Sequence, residues 1–166
     1  MKPSPLKITF DLEFPVALNH RWIHFDGVIG HVIFSRFGDR YHAPTKEPVK
    51  VNPGIYRSAI SLRGKIPCAS VGFFEYDEYR TAQYVKRTET DMMSKGKIDL
   101  GSGYFRAWRL GAIYNASLRV VFYAHGRRDL LEDLLSDITH LGDNVRVGWG
   151  KIRRVAIEEI SDDVSI

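Results

Sequence analysis

The chain has a single cysteine, Cys68, among 166 residues. A lone thiol excludes an internal disulfide framework and any metal site built on clustered thiolates. No apolar run approaches the roughly 18 residues that a membrane-spanning helix needs, which excludes an integral helical membrane protein. The start, Met1-Lys2-Pro3-Ser4-Pro5, leads straight into a charged, strand-like segment. No secretory signal is legible there, and the expected compartment is the cytoplasm. No internal repeat stands out. What is present is globular: apolar residues make up 44% and charged residues 27%, enough for one domain, residues 1–166, with a real core.

Net charge is lacking over most of the chain and concentrated in one part. The formal charge is +4, and residues 80–110 carry all of it: Arg80, Lys86, Arg87, Lys95, Lys97, Arg106 and Arg109 against Glu89, Asp91 and Asp99. The remainder balances. A neutral domain with one basic stretch fits an anionic partner such as nucleic acid, or else a solvated basic loop; charge alone leaves both open.

Residues 6–14 alternate apolar and polar, which predicts a half-buried strand ended by Pro15. Ile29, Val32, Ile33 and Phe37 share one helical face behind Asp26, a suitable N-cap, and Gly38-Asp39 marks that helix's end. Gly38, Pro44, Pro48, Pro53, Gly54 and Gly64 make residues 38–65 an irregular excursion. A second strand is expected over 66–76. Residues 80–110 follow as an extended hairpin or arm around Met92-Met93-Ser94-Lys95-Gly96-Lys97. Residues 113–124 predict a strand. Asp129 with Glu132 resembles a capping box, opening a helix that carries Leu130, Leu131, Leu134, Leu135, Ile138 and Leu141 up to Gly142. A last strand runs over about 151–160. The order is α+β: a ferredoxin-like β-α-β-β-α-β core with an inserted β-hairpin arm and a C-terminal glycine-rich loop.

That loop, Leu141-Gly142-Asp143-Asn144-Val145-Arg146-Val147-Gly148-Trp149-Gly150-Lys151, is the sharpest local feature. Few side chains hold an anion away from its backbone N–H groups, and Arg146, Lys151 and Trp149 add charge and a stacking face. The other reading is a helix-to-strand turn with Trp149 packed in the core. A triphosphate-binding loop is rejected. Ile152 stands where the magnesium-binding hydroxyl belongs, and the loop leaves a helix C-terminus, whose dipole repels phosphate.

The loop resembles the glycine signature of the repeat-associated mysterious proteins, the RNA-binding superfamily of CRISPR effector complexes. His140-Leu141-Gly142, five residues, then Gly148-Trp149-Gly150 fit its glycine–hydrophobic–glycine pairs, with His140 in place of the first glycine. The segment from His24 to Phe34 resembles the first-helix region of the subunit that holds the 5′ end of CRISPR RNA. Pro67 to Glu75 and Gly103 to Trp108 resemble the type IV version of that subunit.

The resemblance implies a non-catalytic RNA-binding subunit of a CRISPR-Cas ribonucleoprotein used in antiviral defence. It would hold the crRNA 5′ handle and cap the backbone filament, with the arm, matching residues 77–112, inserted between the second and third core strands as a thumb. Its partners would be crRNA, the backbone subunits and the large subunit, with target nucleic acid met indirectly and no membrane. No cofactor, metal or catalytic residue is expected. The RNA-binding residues would be Lys86, Arg87, Lys95, Lys97, Tyr104, Arg106, Arg109, Gly142, Arg146, Gly148, Trp149, Gly150 and Lys151. Tyr84 and Trp108 are further stacking candidates, although Phe105 and Trp108 suit core packing as well.

The alternative is a metal-independent endoribonuclease that processes CRISPR repeat RNA. His20 or His24 with Tyr41 or Lys151 would be its acid and base. His31 and His42 lie near them in sequence. A plain RNA-recognition module is disfavoured because its Lys/Arg-Gly-aromatic signature is missing from residues 113–124.

Overall fold

Strand β1 (Ser4–Leu12) turns Leu6, Ile8, Phe10 and Leu12 into the core and leaves Lys7 and Thr9 on its other face. Its alternation is therefore used as the pattern predicts. A computed structural model describes residues 2–37, 53–86 and 108–165 of the chain. Within them follow β2 (Val16–Leu18), α1 (Phe25–Phe37), α2 (Pro53–Ala59), β3 (Leu62–Arg63), β4 (Ile66–Pro67) and β5 (Phe73–Phe74). Then come β6 (Tyr79–Lys86), β7 (Trp108–Asn115), β8 (Arg119–Gly126), α3 (Arg128–Leu135) and β9 (Ile152–Glu159).

Four strands form one antiparallel sheet in the order β5-β8-β1-β9, and three form a second in the order β2-β7-β6. The β3–β4 pair is a small hairpin. The core lies between the first sheet and the helices. Phe122 of β8 meets Phe10 edge-on at 5.5 Å and Phe25 at 5.3 Å, and Ile29, Ile33, Leu131 and Leu134 close over them. Arg36 ties α1 to the end of α3, donating to the carboxylates of Asp133 and Asp137 and, at 2.7 Å, to the Asp133 carbonyl.

Several expectations change at element ends. Helix α1 begins at Phe25, which puts Asp26 inside its first turn rather than at the cap. Helix α3 has Arg127 at its N-cap and no side-chain cap, so Asp129 and Glu132 do not form a capping box. They pair instead with Arg127 and Arg128. The leucine helix stops at Leu135, and residues 136–141 leave it, although Leu141 stays buried. The predicted strand over 66–76 survives as two short pieces with isolated bridges between and around them. The excursion 38–65 contains α2, and the Gly38-Asp39 stop lies outside the described residues.

The strand expected over 113–124 is two strands, one in each sheet. The chain turns the corner at Ala116–Leu118, where buried Asn115 and Ser117 stand. Asn115 Nδ2 and Ser117 Oγ both donate to the Tyr76 carbonyl at 3.0 Å, and Ser117 N–H donates to Asn115 Oδ1 at 2.8 Å. Buried polar groups satisfied in this way hold a corner that an apolar pair would leave unfixed.

On the face away from the helices, buried Asp11 accepts from Arg119 Nε at 2.9 Å and pairs with Arg154 at 3.1 Å. The hydrogen bond from Arg119, reinforced by the positive charge of both arginines, holds its carboxyl below the usual carboxylate value. A carboxyl whose folded pKa is depressed contributes stability that is present above the unfolded value of about 3.9 and is lost as pH falls through the folded one. Asp11→Asn is expected to cost about 1–3 kcal/mol at pH 7. The gap from the parent should narrow as pH falls below the unfolded value of about 3.9 and close as the folded carboxyl takes up its proton. Urea unfolding across a pH series measures it, and a gap independent of pH contradicts the ion-pair account.

Candidate nucleic-acid interface

After α3 the chain forms a neck and a lobe. In the neck, Leu141 N–H donates to the Gly150 carbonyl at 2.8 Å and Ile152 N–H to Thr139 at 2.9 Å, with His140 bridged to Lys151. The lobe, residues 142–149, closes through a single 3-10 turn at Val145–Val147. Asn144 and Gly148 flank that turn with φ of 57° and 94°. The lobe is stitched to the β1–β2 region. Asp143 N–H donates to Ala17 and Gly150 N–H to Pro15, both at 2.8 Å, while Asn19 N–H donates to Asp143 Oδ2 at 2.7 Å.

The three glycines separate by role. A Cβ on Gly142 would stand 2.5 Å from the Ala17 carbonyl oxygen, and one on Gly150 would stand 1.9 Å from that of Leu141. Both also have positive φ. Their missing side chains admit the protein's own backbone. Gly148 meets nothing within 4 Å and faces open space.

Trp149 is half-buried and stands outside the core cluster, so the reading that packs it in the core does not hold. It packs on Tyr114 of β7 with ring centroids 4.7 Å apart and meets Tyr84 of β6 edge-on at 6.4 Å. Burial there pushes the Tyr84 phenol above its ordinary pKa. Phe14, Pro15, Tyr84, Tyr114, Val147, Gly148 and Trp149 together line a groove of about 340 Å³. Such a groove offers aromatic faces and edges to an unpaired base.

The groove sits beside the ribbon of β6 and β7. β6 and β7 pair in register from Tyr79↔Asn115 to Lys86↔Trp108, and the ribbon's open end leads into residues 87–107. Arg87, Lys95, Lys97, Tyr104, Phe105 and Arg106 lie in that segment, outside the described residues, as do Tyr41 and His42. Lys86 and Arg109 belong to the ribbon itself. Arg146 is exposed on the lobe. Lys151 is exposed but ion-paired with Glu13, so its charge is shared.

Sequence reasoning missed Phe14, Pro15, Tyr114 and Val147. Phe14 stays in phase with the buried residues of β1, yet it is 52% exposed because β1 ends at Leu12, beside a bulge between Asp11 and Leu12. On the other side of the lobe, His20, His24, His31 and His140 line a second groove of about 410 Å³ with Trp22, Leu18 and Val145. Arg21 lies 5.3 Å above the Trp22 ring. Among the described residues no three His, Cys, Asp or Glu side chains could hold one metal ion. No described helix is long and apolar enough to cross a membrane.

No curated protein matches the chain. Among solved structures, a chain from a cryo-EM structure of the type III-B Cmr-beta complex bound to cognate target RNA superposes with a TM-score of 0.50 at 9% identity. The superposition covers 95% of this chain and 61% of that one, so this chain spans under two thirds of its structural relative. That likeness concerns the fold. The sequence itself matches the family described as CRISPR type IV associated protein Csf3 over residues 72–165, which include β6, β7 and the whole glycine lobe. With more than half of the chain matched, the resemblance first read from the glycine loop is borne out, and the chain belongs to the type IV CRISPR-associated Csf3 family.

Proposed function

We propose that this chain is a non-catalytic RNA-binding subunit of a type IV CRISPR effector complex, holding the crRNA 5′ handle in the cytoplasm. One observation carries the reading. Trp149 of the glycine lobe packs against Tyr84 and Tyr114 at the root of the basic arm, which joins the two candidate elements into one surface. Unpaired RNA is gripped by cationic side chains along its backbone and by aromatic faces under its bases. Here the arm supplies the cations and the groove supplies the rings. The type III-B relative, determined bound to target RNA, supports the same direction.

The fold reading belongs with it. The strand order β5-β8-β1-β9, with α1 before β5 and α3 before β9, supports a ferredoxin-like core. Strands β6 and β7 are then the base of an arm inserted between its second and third strands. In this reading the subunit caps a filament of backbone subunits and meets the large subunit, and target nucleic acid reaches it only through the guide.

Fluorescence anisotropy with labelled, repeat-derived RNA tests the groove. Trp149→Ala and Tyr84→Ala are each expected to weaken binding by about 5- to 150-fold, the equivalent of about 1–3 kcal/mol per stacked base. Thermal melts should stay close to the parent's. Unchanged affinity in both variants removes the groove from the interface.

The convergence of His20, His24, His31 and His140 on one groove favours the endoribonuclease as the second reading. Incubating the chain with repeat RNA in chelator separates the two. Intact RNA is expected, whereas specific cuts lost in His20→Ala or His24→Ala would replace binding by catalysis.

A further inference from the structure

β9 is the outer strand of the four-stranded sheet, and among the described residues no strand pairs with its far edge. The Ile160 N–H donates to the Pro5 carbonyl at 3.0 Å, so residue 160 faces β1. By alternation, 158, 156 and 154 face β1 as well, in keeping with the β1–β9 register. The backbone N–H and C=O of Val155, Ile157 and Glu159 therefore point away from the sheet. Among the described residues only the start of this edge is occupied, where the Ile152 N–H donates to the Thr139 carbonyl at 2.9 Å. Between the edge and α3 runs a groove of about 350 Å³, its apolar wall formed by Leu135, Ile138, Val155 and Ile157.

The edge reads Arg153-Arg154-Val155-Ala156-Ile157-Glu158-Glu159. It is basic, basic, apolar, alanine, apolar, acidic, acidic, so its charge reverses sign about Ala156. A second copy laid antiparallel and centred on Ala156 sets Arg153 opposite Glu159, Arg154 opposite Glu158 and Val155 opposite Ile157. Facing residues from Arg154 to Glu158 share a side of the sheet and stand within side-chain reach, and Arg153, the extra residue of the bulge against Asp11 and Leu12, is brought near Glu159. The same centring brings the outward backbone groups of Val155 and Ile157 together as a hydrogen-bonded pair. Backbone direction and charge order thus select one register independently. A shift of two residues sets charges opposite valine or isoleucine, and parallel pairing in register sets like against like.

Edge strands of soluble proteins commonly carry charges that discourage pairing. A strand of one sign repels its copy in every register. Reversal of sign within one strand leaves a single attractive register, and that register is self-complementary, as a two-fold interface requires.

We propose that two copies of this chain pair through β9, antiparallel about Ala156, joining their four-stranded sheets into one of eight strands. Both grooves beside the glycine lobe lie outside this contact, so the pairing stands apart from the RNA reading and is tested without RNA. The interface is small, and dimerisation should depend strongly on concentration and salt.

Sedimentation velocity on the full chain, at low salt and up to several hundred micromolar, is expected to show a monomer–dimer equilibrium. Arg153→Glu alone, and Glu159→Arg alone, each place like charges opposite one another at both ends and should weaken the dimer at least ~10-fold. An equimolar mixture of the two variants should restore it. So should the double variant R153E/E159R, which carries both substitutions and therefore distinguishes lost pairing from misfolding. A parent chain that stays monomeric throughout, or single variants whose mixture stays monomeric, overturns the proposal. So does a dimer indifferent to every exchange.

Discussion

Replacing Lys86, Arg87, Lys95 and Lys97 with alanine should lower affinity for repeat-derived single-stranded RNA by about two orders of magnitude near physiological salt. The figure follows from counterion release. Each phosphate neutralised on a single strand contributes about 0.7 to the slope of log affinity against log salt, so four lost contacts lower the slope by about 3. Extrapolated from 1 M to about 0.15 M salt, that slope difference is roughly 200-fold. The prediction is large because net charge is not spread over this protein: residues 80–110 carry the whole +4. Removing Arg57, Arg63 and Lys65, three exposed cations outside residues 80–110, should leave the slope within error of the parent's. Anisotropy titrations across a salt series read both quantities. If the slope and affinity of the four-alanine variant match the parent's, residues 80–110 are a basic stretch that the RNA does not use. If the control triple variant loses as much as the arm variant, the interaction is one of overall charge. The groove mutants answer a different question, because losing a stacked base lowers affinity with little change in salt slope.

Legibility followed the range of the interactions. β1, α1 and β9 were readable to within about two residues because alternation or helical spacing is a local property, and tertiary packing used it unchanged. The leucine helix was overextended for the same reason. Ile138 and Leu141 continue its spacing and do pack against or within the core, but from an extended neck, a path that periodicity does not distinguish from a further turn of helix. The split of the 113–124 strand depended on Asn115 and Ser117 reaching Tyr76, about forty residues away. The candidate site divides along the same line. Trp149 and Tyr84 were legible as aromatic residues in suggestive company. Their meeting, with Tyr114 and Phe14 beside them, depends on the sheet β2-β7-β6 lying under the lobe. That arrangement rests on contacts such as Gly150 N–H to Pro15, more than a hundred residues apart.

Gly150→Ala should cost the fold far more than Gly148→Ala, although both glycines belong to one motif and both have positive φ. The left-handed backbone penalises an L side chain by roughly 1–2 kcal/mol at either position. At Gly148 that is the whole cost, since its Cβ would meet nothing within 4 Å. At Gly150 the Cβ would fall 1.9 Å from the Leu141 carbonyl oxygen, which is backbone that no rotamer change can move. The neck must open, and the hydrogen bonds from Leu141 to Gly150 and from Gly150 to Pro15 go with it. A total of about 3–5 kcal/mol is expected, a large fraction of a typical domain's stability of about 5–15 kcal/mol. Chemical denaturation of the two variants measures the difference directly. RNA binding then separates the roles: Gly150→Ala should lose affinity only in proportion to unfolding, whereas Gly148→Val, on the open side of the groove, should lose affinity while most of the chain remains folded. Equal destabilisation by the two alanines would mean that the neck yields, and that the spacing of these glycines is not set by backbone contact at Leu141.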